Sequence, residues 1–279
     1  MDSSPAPVSA PGSTGRRLAL AMLLVIVPVG LLAGWIAGTY RDAAEAPAPT
    51  LPQPVDPILP NLVVGPLRDF LLARGEDGSR RIFFTAAPAN VGPGPFALEA
   101  TRKRAGGRWL VTQQFGERDG GRSERRVPAD LVFGGHGHWH VRLGASYRLV
   151  ARSDGGEVVR RLVKAGFCFF DHERARPAPP GAPRSPQFSS IGCNGRGSAV
   201  VRMGLSVGWA DPYTWLLPDQ RIDVTGLREG DYRLIATVDP DGWFDETDEA
   251  DNDAWADLRL THRADGVPIV RVLRRSRVR

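Results

Sequence analysis

Short apolar runs that alternate with turn residues dominate the chain from about residue 61 onward. Segments such as SYRLVAR, SAVVRMGL and DYRLIATVD have the length and composition of strands. Their spacing of about 8 to 15 residues is typical of an antiparallel β-sandwich. RRIFFTAAPANVGPGPFALEA is interpreted as two strands around a Gly/Pro turn, whereas NLVVGPLRDFLLA fits either a short helix or a strand. We therefore predict a mostly β, antiparallel β-sandwich-like domain with long irregular loops over residues 61–262.

The N-terminal region contains an uncharged apolar segment, LALAMLLVIVPVGLLAGWIAG, at residues 18–38. About 20 apolar residues are enough to cross a bilayer as a helix. Arg16 and Arg17 precede this segment, so the positive-inside rule puts residues 1–17 in the cytoplasm and the rest of the chain outside it. A signal peptide cleaved near AEA at 44–46, or a twin-arginine export signal, would lead to the same location. We predict an uncleaved transmembrane anchor.

Two further segments flank the predicted domain. Residues 39–60 are rich in proline and alanine and are interpreted as an extended spacer. Residues 263–279 are interpreted as a basic, solvated tail. The formal net charge is +5, but no basic stripe alternates with aromatic side chains, so a nucleic-acid partner is not favoured.

The chain has two cysteines, Cys168 and Cys193. Disulfides form and persist outside the cytoplasm, so we expect a single bridge between them. Two buried thiols are the alternative. A bridge would close a loop of about 26 residues and stabilise the fold by about 3.5 kcal/mol in the chain-entropy treatment.

Three of the five histidines alternate within FGGHGHWHVRL, at His136, His138 and His140. Side chains at i, i+2 and i+4 of a strand point to the same face, so three imidazoles there can converge on one ion. Nitrogen ligands suit copper or zinc, and three protein ligands leave positions open for water or dioxygen. The alternative is a polar strand face that happens to carry histidines. A zinc hydrolase would also need a nearby carboxylate base, which the motif lacks.

A lysine and a tyrosine have several possible roles. Lys164 lies among apolar residues in RRLVKAGFCFFD, where loss of hydration favours the neutral, nucleophilic amine. The alternative is a lysine that reaches from a strand edge to water. Tyr213 follows Asp211 in a turn, and by itself it suits an amphipathic position in the core or at its rim.

The stretch DPDGWFDETDEADND concentrates carboxylates between residues 239 and 253. Calcium prefers such oxygen ligands. The spacing does not match the EF-hand pattern, however, and a solvated hairpin loop is favoured over a calcium site.

Taken in order, HGHWH, VKAGFCFFD, Cys193 and GLSVGWADPYTW followed by QRIDVTGLREGDYRL resemble the catalytic domain of the lysyl oxidases, which are copper amine oxidases. The resemblance extends over about residues 61–262. It implies that His136, His138 and His140 bind Cu²⁺ and that Lys164 and Tyr213 crosslink into lysine tyrosylquinone, a self-derived cofactor. It also implies that Cys168 pairs with Cys193. Asp211 is a candidate for the catalytic base.

The resemblance implies a membrane-anchored bacterial relative that deaminates primary amines, either peptidyl-lysine or small amines. Such an enzyme forms aldehydes with O2 and releases H2O2 and NH3. Ser146 stands where the animal enzymes carry a histidine, and their extra cysteines are absent. The natural substrate of a bacterial relative need not be collagen or elastin. The C-terminal segment alone would fit a non-catalytic copper-binding or Ig-like adhesion β-sandwich on the cell surface. The coexistence of Lys164 and Tyr213 with the histidines favours the enzyme.

Overall fold

A computed structural model describes residues 51–277 apart from 136, 143, 154, 155, 164, 165, 177, 218, 265 and 266. Two candidate site residues, His136 and Lys164, therefore lie outside the described residues. The predicted anchor at 18–38 and its flanks at 1–17 and 39–50 lie outside them as well. Within the described part, no helix is long and apolar enough to cross a bilayer.

The described residues form nineteen strands and one short 3₁₀ helix, Ser190–Cys193. The strands in chain order are β1 (Pro57–Ile58), β2 (Leu62–Val64), β3 (Arg68–Arg74), β4 (Arg80–Thr85), β5 (Pro88–Asn90), β6 (Phe96–Thr101), β7 (Leu110–Glu117), β8 (Arg122–Val127), β9 (Leu131–Phe133), β10 (Trp139–Val141), β11 (Ala145–Ala151), β12 (Val158–Val163), β13 (Glu173–Arg174), β14 (Val200–Leu205), β15 (Trp209–Ala210), β16 (Arg221–Asp223), β17 (Gly230–Val238), β18 (Asp253–His262) and β19 (Pro268–Arg275).

The strands pair in five antiparallel sheets, which confirms the prediction of a mostly β chain. One five-stranded sheet has the order β1-β7-β6-β14, with β8 also on β7, and another has the order β12-β11-β17-β18-β19. A four-stranded sheet, β13-β15-β5-β2, and a three-stranded sheet, β16-β4-β3, accompany them. The hairpin of β9 and β10 forms a two-stranded sheet by itself.

Alternating burial along the strands builds one large aromatic core. In β6, Phe96, Leu98 and Ala100 are buried while the residues between them are partly exposed, because successive side chains point to opposite faces. The Phe96 ring meets the rings of Phe169 and Phe244 edge-on, at centroid distances of 5.2 and 4.9 Å. The segment after Lys164 is thereby fixed to the centre of the molecule.

Several segments differ from their sequence interpretation. The 80–100 region contains three strands rather than two, because β5 leaves β4 and pairs with β2. The ambiguous 61–73 segment forms β2 and β3, and the register of β3 shifts at Asp69, whose φ is 57°. Parts of the predicted spacer (39–60) and of the predicted basic tail (263–279) also contact the domain. The Leu51 N–H donates to Glu124, β1 pairs with β7, and part of the expected basic tail forms β19.

Candidate metal centre and active site

The histidine motif forms a tight hairpin rather than one continuous strand. The Gly134 N–H donates to the His138 carbonyl, and Gly137, with φ 84°, turns the chain between them. Only His140 lies within β10, opposite Val132 of β9. The expectation that the histidines share one strand is therefore wrong for His138, which precedes β10 because the chain turns at Gly137 instead of extending.

The imidazoles of His138 and His140 lie side by side at the open side of this hairpin. Their ring centroids are 4.6 Å apart, the rings are nearly perpendicular, and both side chains are half-buried. Two imidazoles at this separation offer nitrogen donors to one region of space. The pair therefore suits a shared copper or zinc ion.

Two glycines make room for His140. A Cβ atom at Gly134 would lie 2.7 Å from His140 Nδ1, and a Cβ atom at Gly166 would lie 2.5 Å from His140 Cβ. Real Cβ atoms do not approach this closely, so a side chain at either position would displace His140 from its present place. Gly166 belongs to the KAGFC segment, and its close approach places this segment directly beside the histidine pair.

Backbone pairing fixes the KAGFC segment against β10. Val141 and Phe167 form an isolated antiparallel bridge, in which the Val141 N–H donates to the Phe167 carbonyl at 2.7 Å and the reverse bond measures 2.9 Å. Lys164 lies outside the described residues, but it is two residues from Gly166 in sequence. Gly166 and Phe167 thus connect the strand that carries His140 with Cys168, the next residue along the chain.

Tyr213 lies on the other side of Phe167. The two rings meet at a centroid distance of 4.2 Å, and the Cys168 N–H donates to the Tyr213 hydroxyl at 3.0 Å. An antiparallel bridge to Ala86 holds the Tyr213 backbone. Segments from three separate parts of the sequence therefore meet at Phe167 and Cys168: the histidine hairpin, the KAGFC segment and the Tyr213 turn.

Burial raises the pKa of the Tyr213 hydroxyl well above its ordinary value, and the neighbouring Asp211 carboxyl raises it further. The Cys168 N–H opposes this effect in part. Asp211 itself is only 2% exposed. A buried carboxyl beside a protonated phenol can accept a proton that the phenol or a bound molecule loses.

Asp171 connects the KAGFC segment, which precedes the disulfide loop, with the GLSVG segment, which follows it. Its carboxylate accepts from the Ser206 N–H at 2.8 Å, the Ser206 hydroxyl at 2.6 Å and the Gln187 N–H at 2.7 Å. A further bond runs from the Gly204 N–H to the Phe169 carbonyl. Sequence reasoning missed Asp171, although an acid directly after KAGFCFF and a serine within GLSVG were visible signals.

An arginine also stabilises the hairpin from its apolar face. The Arg102 guanidinium lies over the rings of Trp109 and Trp139, 4.5 and 4.7 Å from their centroids. It donates to the Ser198 carbonyl, and the Trp139 indole N–H donates to the Gly195 carbonyl. These bonds tie the loop after Cys193 to the strand that carries His140, and sequence reasoning did not find them because Arg102 belongs to no motif.

A disulfide joins Cys168 to Cys193, with the Cα atoms 6.0 Å apart. Both cysteines are buried in the main core. The bridge lies one residue from Phe167 and so fixes the segment between the histidine pair and Tyr213.

The acidic stretch is only in part the solvated loop that the sequence interpretation favoured: Asp241, Asp248, Glu249 and Asp253 are exposed, but other polar side chains turn inward. Asp239, Glu246 and Asn252 are each less than a tenth exposed, and Glu246 accepts bonds from the Leu62 N–H and from Asn252. Oxygens of Asp239, Glu246 and Glu249 lie within 4.8 Å of one another. The loop folds inward because its carboxylates accept backbone N–H groups of Leu62, Trp243 and Phe244.

The structure thus brings His138, His140 and Tyr213 close to one KAGFC segment, together with Asp211 and the cysteine pair. No protein-family model matches this chain, and no curated protein is significantly similar to it.

Proposed function

We propose that the chain is a copper-dependent amine oxidase of the lysyl oxidase type. It converts primary amines, with O2 and water, to aldehydes, H2O2 and NH3. One observation carries the proposal: Gly166 abuts His140 while Cys168, two residues later, donates its N–H to the Tyr213 hydroxyl. One short segment therefore contacts the candidate metal ligands and the candidate cofactor tyrosine.

The donor set fits copper. His138 and His140, joined by His136 of the same motif, would hold the ion through imidazole nitrogens, which copper prefers. Both described imidazoles are half-buried, so one side of the pair stays open to small molecules. When bound, copper would supply the activation of dioxygen, and the lysine tyrosylquinone would supply the electron sink for amine oxidation.

Lys164 is proposed as the partner of Tyr213 in the crosslink. Its ε-amine has to be neutral to form a bond to an oxidised tyrosine ring, since an ammonium has no free electron pair. Phe167 and Phe169, three and five residues further along the chain, are fully buried. An apolar setting of this kind around the amine would favour its neutral form.

Asp211 is proposed to move protons beside Tyr213. The raised pKa keeps the Tyr213 hydroxyl protonated near neutral pH, so oxidation of its ring requires a proton acceptor. The buried Asp211 carboxylate is such an acceptor. During turnover the Asp211 carboxylate would also take the proton from the substrate carbon next to the amine nitrogen.

The proposal includes the setting of this domain. Residues 18–38 would form the transmembrane anchor, and the antiparallel sheets would form a β-sandwich-like catalytic domain outside the cytoplasm. The Cys168–Cys193 bridge suits that compartment. Peptidyl-lysine or small primary amines and O2 are the proposed reaction partners, with no nucleic acid among them.

The test is quinone formation in the full-length chain produced with copper. We expect labelling by phenylhydrazine and peroxide release with a simple diamine. Tyr213→Phe and Lys164→Ala should each abolish the labelling, because each removes one half of the crosslink. Tyr232→Phe and Lys103→Arg are matched controls and should keep it, since Tyr232 donates its hydroxyl to the Arg228 carbonyl and Lys103 is exposed.

Labelling that persists in Tyr213→Phe would contradict the cofactor assignment. Copper binding without any quinone would instead favour the non-catalytic copper-binding β-sandwich.

A further inference from the structure

A groove lined by arginines begins on the face of the β13-β15-β5-β2 sheet and continues to the end of β19. It consists of two depressions of about 520 and about 600 Å³, which share Pro66 and Arg275. The volume of the first depression falls in the range of about 300–1,000 Å³ that is usual for ligand sites, whereas the second depression is shallower and more open. We call this continuous feature the arginine groove; its arginines are Arg68, Arg174, Arg176, Arg274, Arg275 and Arg277.

The floor of the arginine groove is apolar and made of small side chains. Val63, Ala87, Ala89, Ala175 and Ala210 form a buried cluster separate from the main core. Such a floor offers a flat surface of small side chains. Among the described lining residues Trp255 is the only aromatic one, and the Arg233 guanidinium lies over its ring at 3.9 Å from the centroid. The floor suits the backbone and small side chains of an extended polypeptide.

The charge of the arginine groove is largely uncompensated. Glu173 is the only acidic residue among its described lining residues, and it pairs with Arg68 at 2.9 Å. Arg274 pairs with Asp257 at 3.3 Å. Arg174, Arg176, Arg275 and Arg277 form no ion pair with a described residue, although Arg174 donates to the Pro183 carbonyl and Arg275 to the Leu67 carbonyl. The positive charge along the groove therefore exceeds the negative charge that lines it.

We propose that the arginine groove binds an extended acidic segment of a partner polypeptide. Carboxylates along one side of such a segment would pair with the arginines at the rim, while its small or apolar side chains would lie on the alanine floor. Arginine suits this role because its planar guanidinium binds carboxylates through two parallel hydrogen bonds. This surface is independent of the proposed oxidase chemistry, because it lies on the sheet face that bears Ala87 rather than on the core side that bears Ala86.

The test measures binding of a fluorescent peptide of alternating Glu and Ala to the full-length chain in non-ionic detergent. The same peptide with Gln in place of Glu serves as the neutral probe. The double variant Arg176→Glu with Arg277→Glu should weaken binding of the Glu peptide about tenfold or more, since it both removes and reverses two rim charges. Binding should also weaken as salt is added, because the rim is exposed.

Arg104→Glu with Arg126→Glu is the matched control. Both arginines are exposed, neither lines the arginine groove, and the change in net charge is the same. This control should bind the Glu peptide within about twofold of the original chain. Equal weakening in both double variants would overturn the proposal, because net charge alone would then explain binding. Equally tight binding of polyphosphate would overturn it as well, because the alanine floor would then play no part.

Discussion

The space around the His140 ring depends on the missing side chain of Gly134, whereas the next residue, Gly135, lies in open space. A methyl group at Gly134 would collide with the imidazole, whereas a methyl group at Gly135 would meet no atom within 4 Å. Neither glycine has a positive φ, so alanine is compatible with the backbone at both positions. The two positions therefore form a matched pair for testing whether the orientation of His140 matters.

We expect Gly134→Ala to lower copper affinity about tenfold or more, equivalent to about 1.4 kcal/mol, because His140 has to rotate away. Gly135→Ala should leave the affinity unchanged. Competition titration with a copper chelator measures both values. Equal affinities for the two variants would mean that His140 does not bind the metal.

The buried carboxyl group of Glu246 should make the free energy of unfolding depend on pH. Burial, with the nearby Glu249 and Asp239 carboxylates, raises the pKa of Glu246 from 4.5 to about 8, although Asn252 and the Leu62 N–H oppose the shift. The folded chain therefore holds a proton that the unfolded chain releases. The stabilisation is fully present below about pH 4.5 and is lost as the pH rises towards about 8.

Urea unfolding in the presence of a chelator should reveal this loss of stability, on the order of 5 kcal/mol across the whole window. Glu246→Gln should remove the pH dependence, while Glu76→Gln, at an exposed turn position, should keep it. A pH dependence that is the same in both variants would show that another group causes it.

At the level of elements, the link between the KAGFC segment and the GLSVG segment depends on Asp171. Asp171→Asn replaces one acceptor oxygen by a donor, which then faces the N–H groups of Gln187 or Ser206. We expect a loss of stability of about 2 kcal/mol, since buried charge-assisted bonds are lost. Asp219→Asn, at an exposed position, should cost less than about 0.5 kcal/mol.

Thermal unfolding of the two variants measures this difference. If Asp171 only stabilises the loop, quinone formation in Asp171→Asn should recover at lower temperature. Equal stability of the two variants would contradict the role assigned to the Asp171 carboxylate.

For the molecule as a whole, the cysteine bridge closes a loop that contains the proline-rich segment 172–192. Replacing Cys168 and Cys193 by serine should cost about 3.5 kcal/mol in the chain-entropy treatment and lower the Tm by about 7–14 °C. Calorimetry of the double variant and of the reduced original chain should give similar shifts. A Tm unaffected by either change would mean that the bridge contributes nothing to stability.

Local pattern was enough to predict the strands of the large sheets, because alternation of side chains in segments such as β17 and β18 reflects burial on one face. It was not enough for the hairpin around His138. There the glycines permit either a turn or an extended strand, and only the pairing of β10 with β9 and with Phe167 decides between them. The burial of Glu246 and the position of Arg102 between two tryptophans depend on contacts with distant parts of the chain, so no local pattern contains them.

Within the part of the chain that the structure describes, the hairpin of β9 and β10 belongs to no larger sheet, and a two-stranded ribbon is marginally stable by itself. Its amide hydrogens should therefore exchange with solvent deuterium through local opening, faster than those of β17, which is paired on both sides. An ion held by His138 and His140 would bind only the closed hairpin and would slow this exchange in proportion to its occupancy. Metal loading would then be recorded as a local protection factor at Trp139 and Val141, separate from the stability of the rest of the molecule.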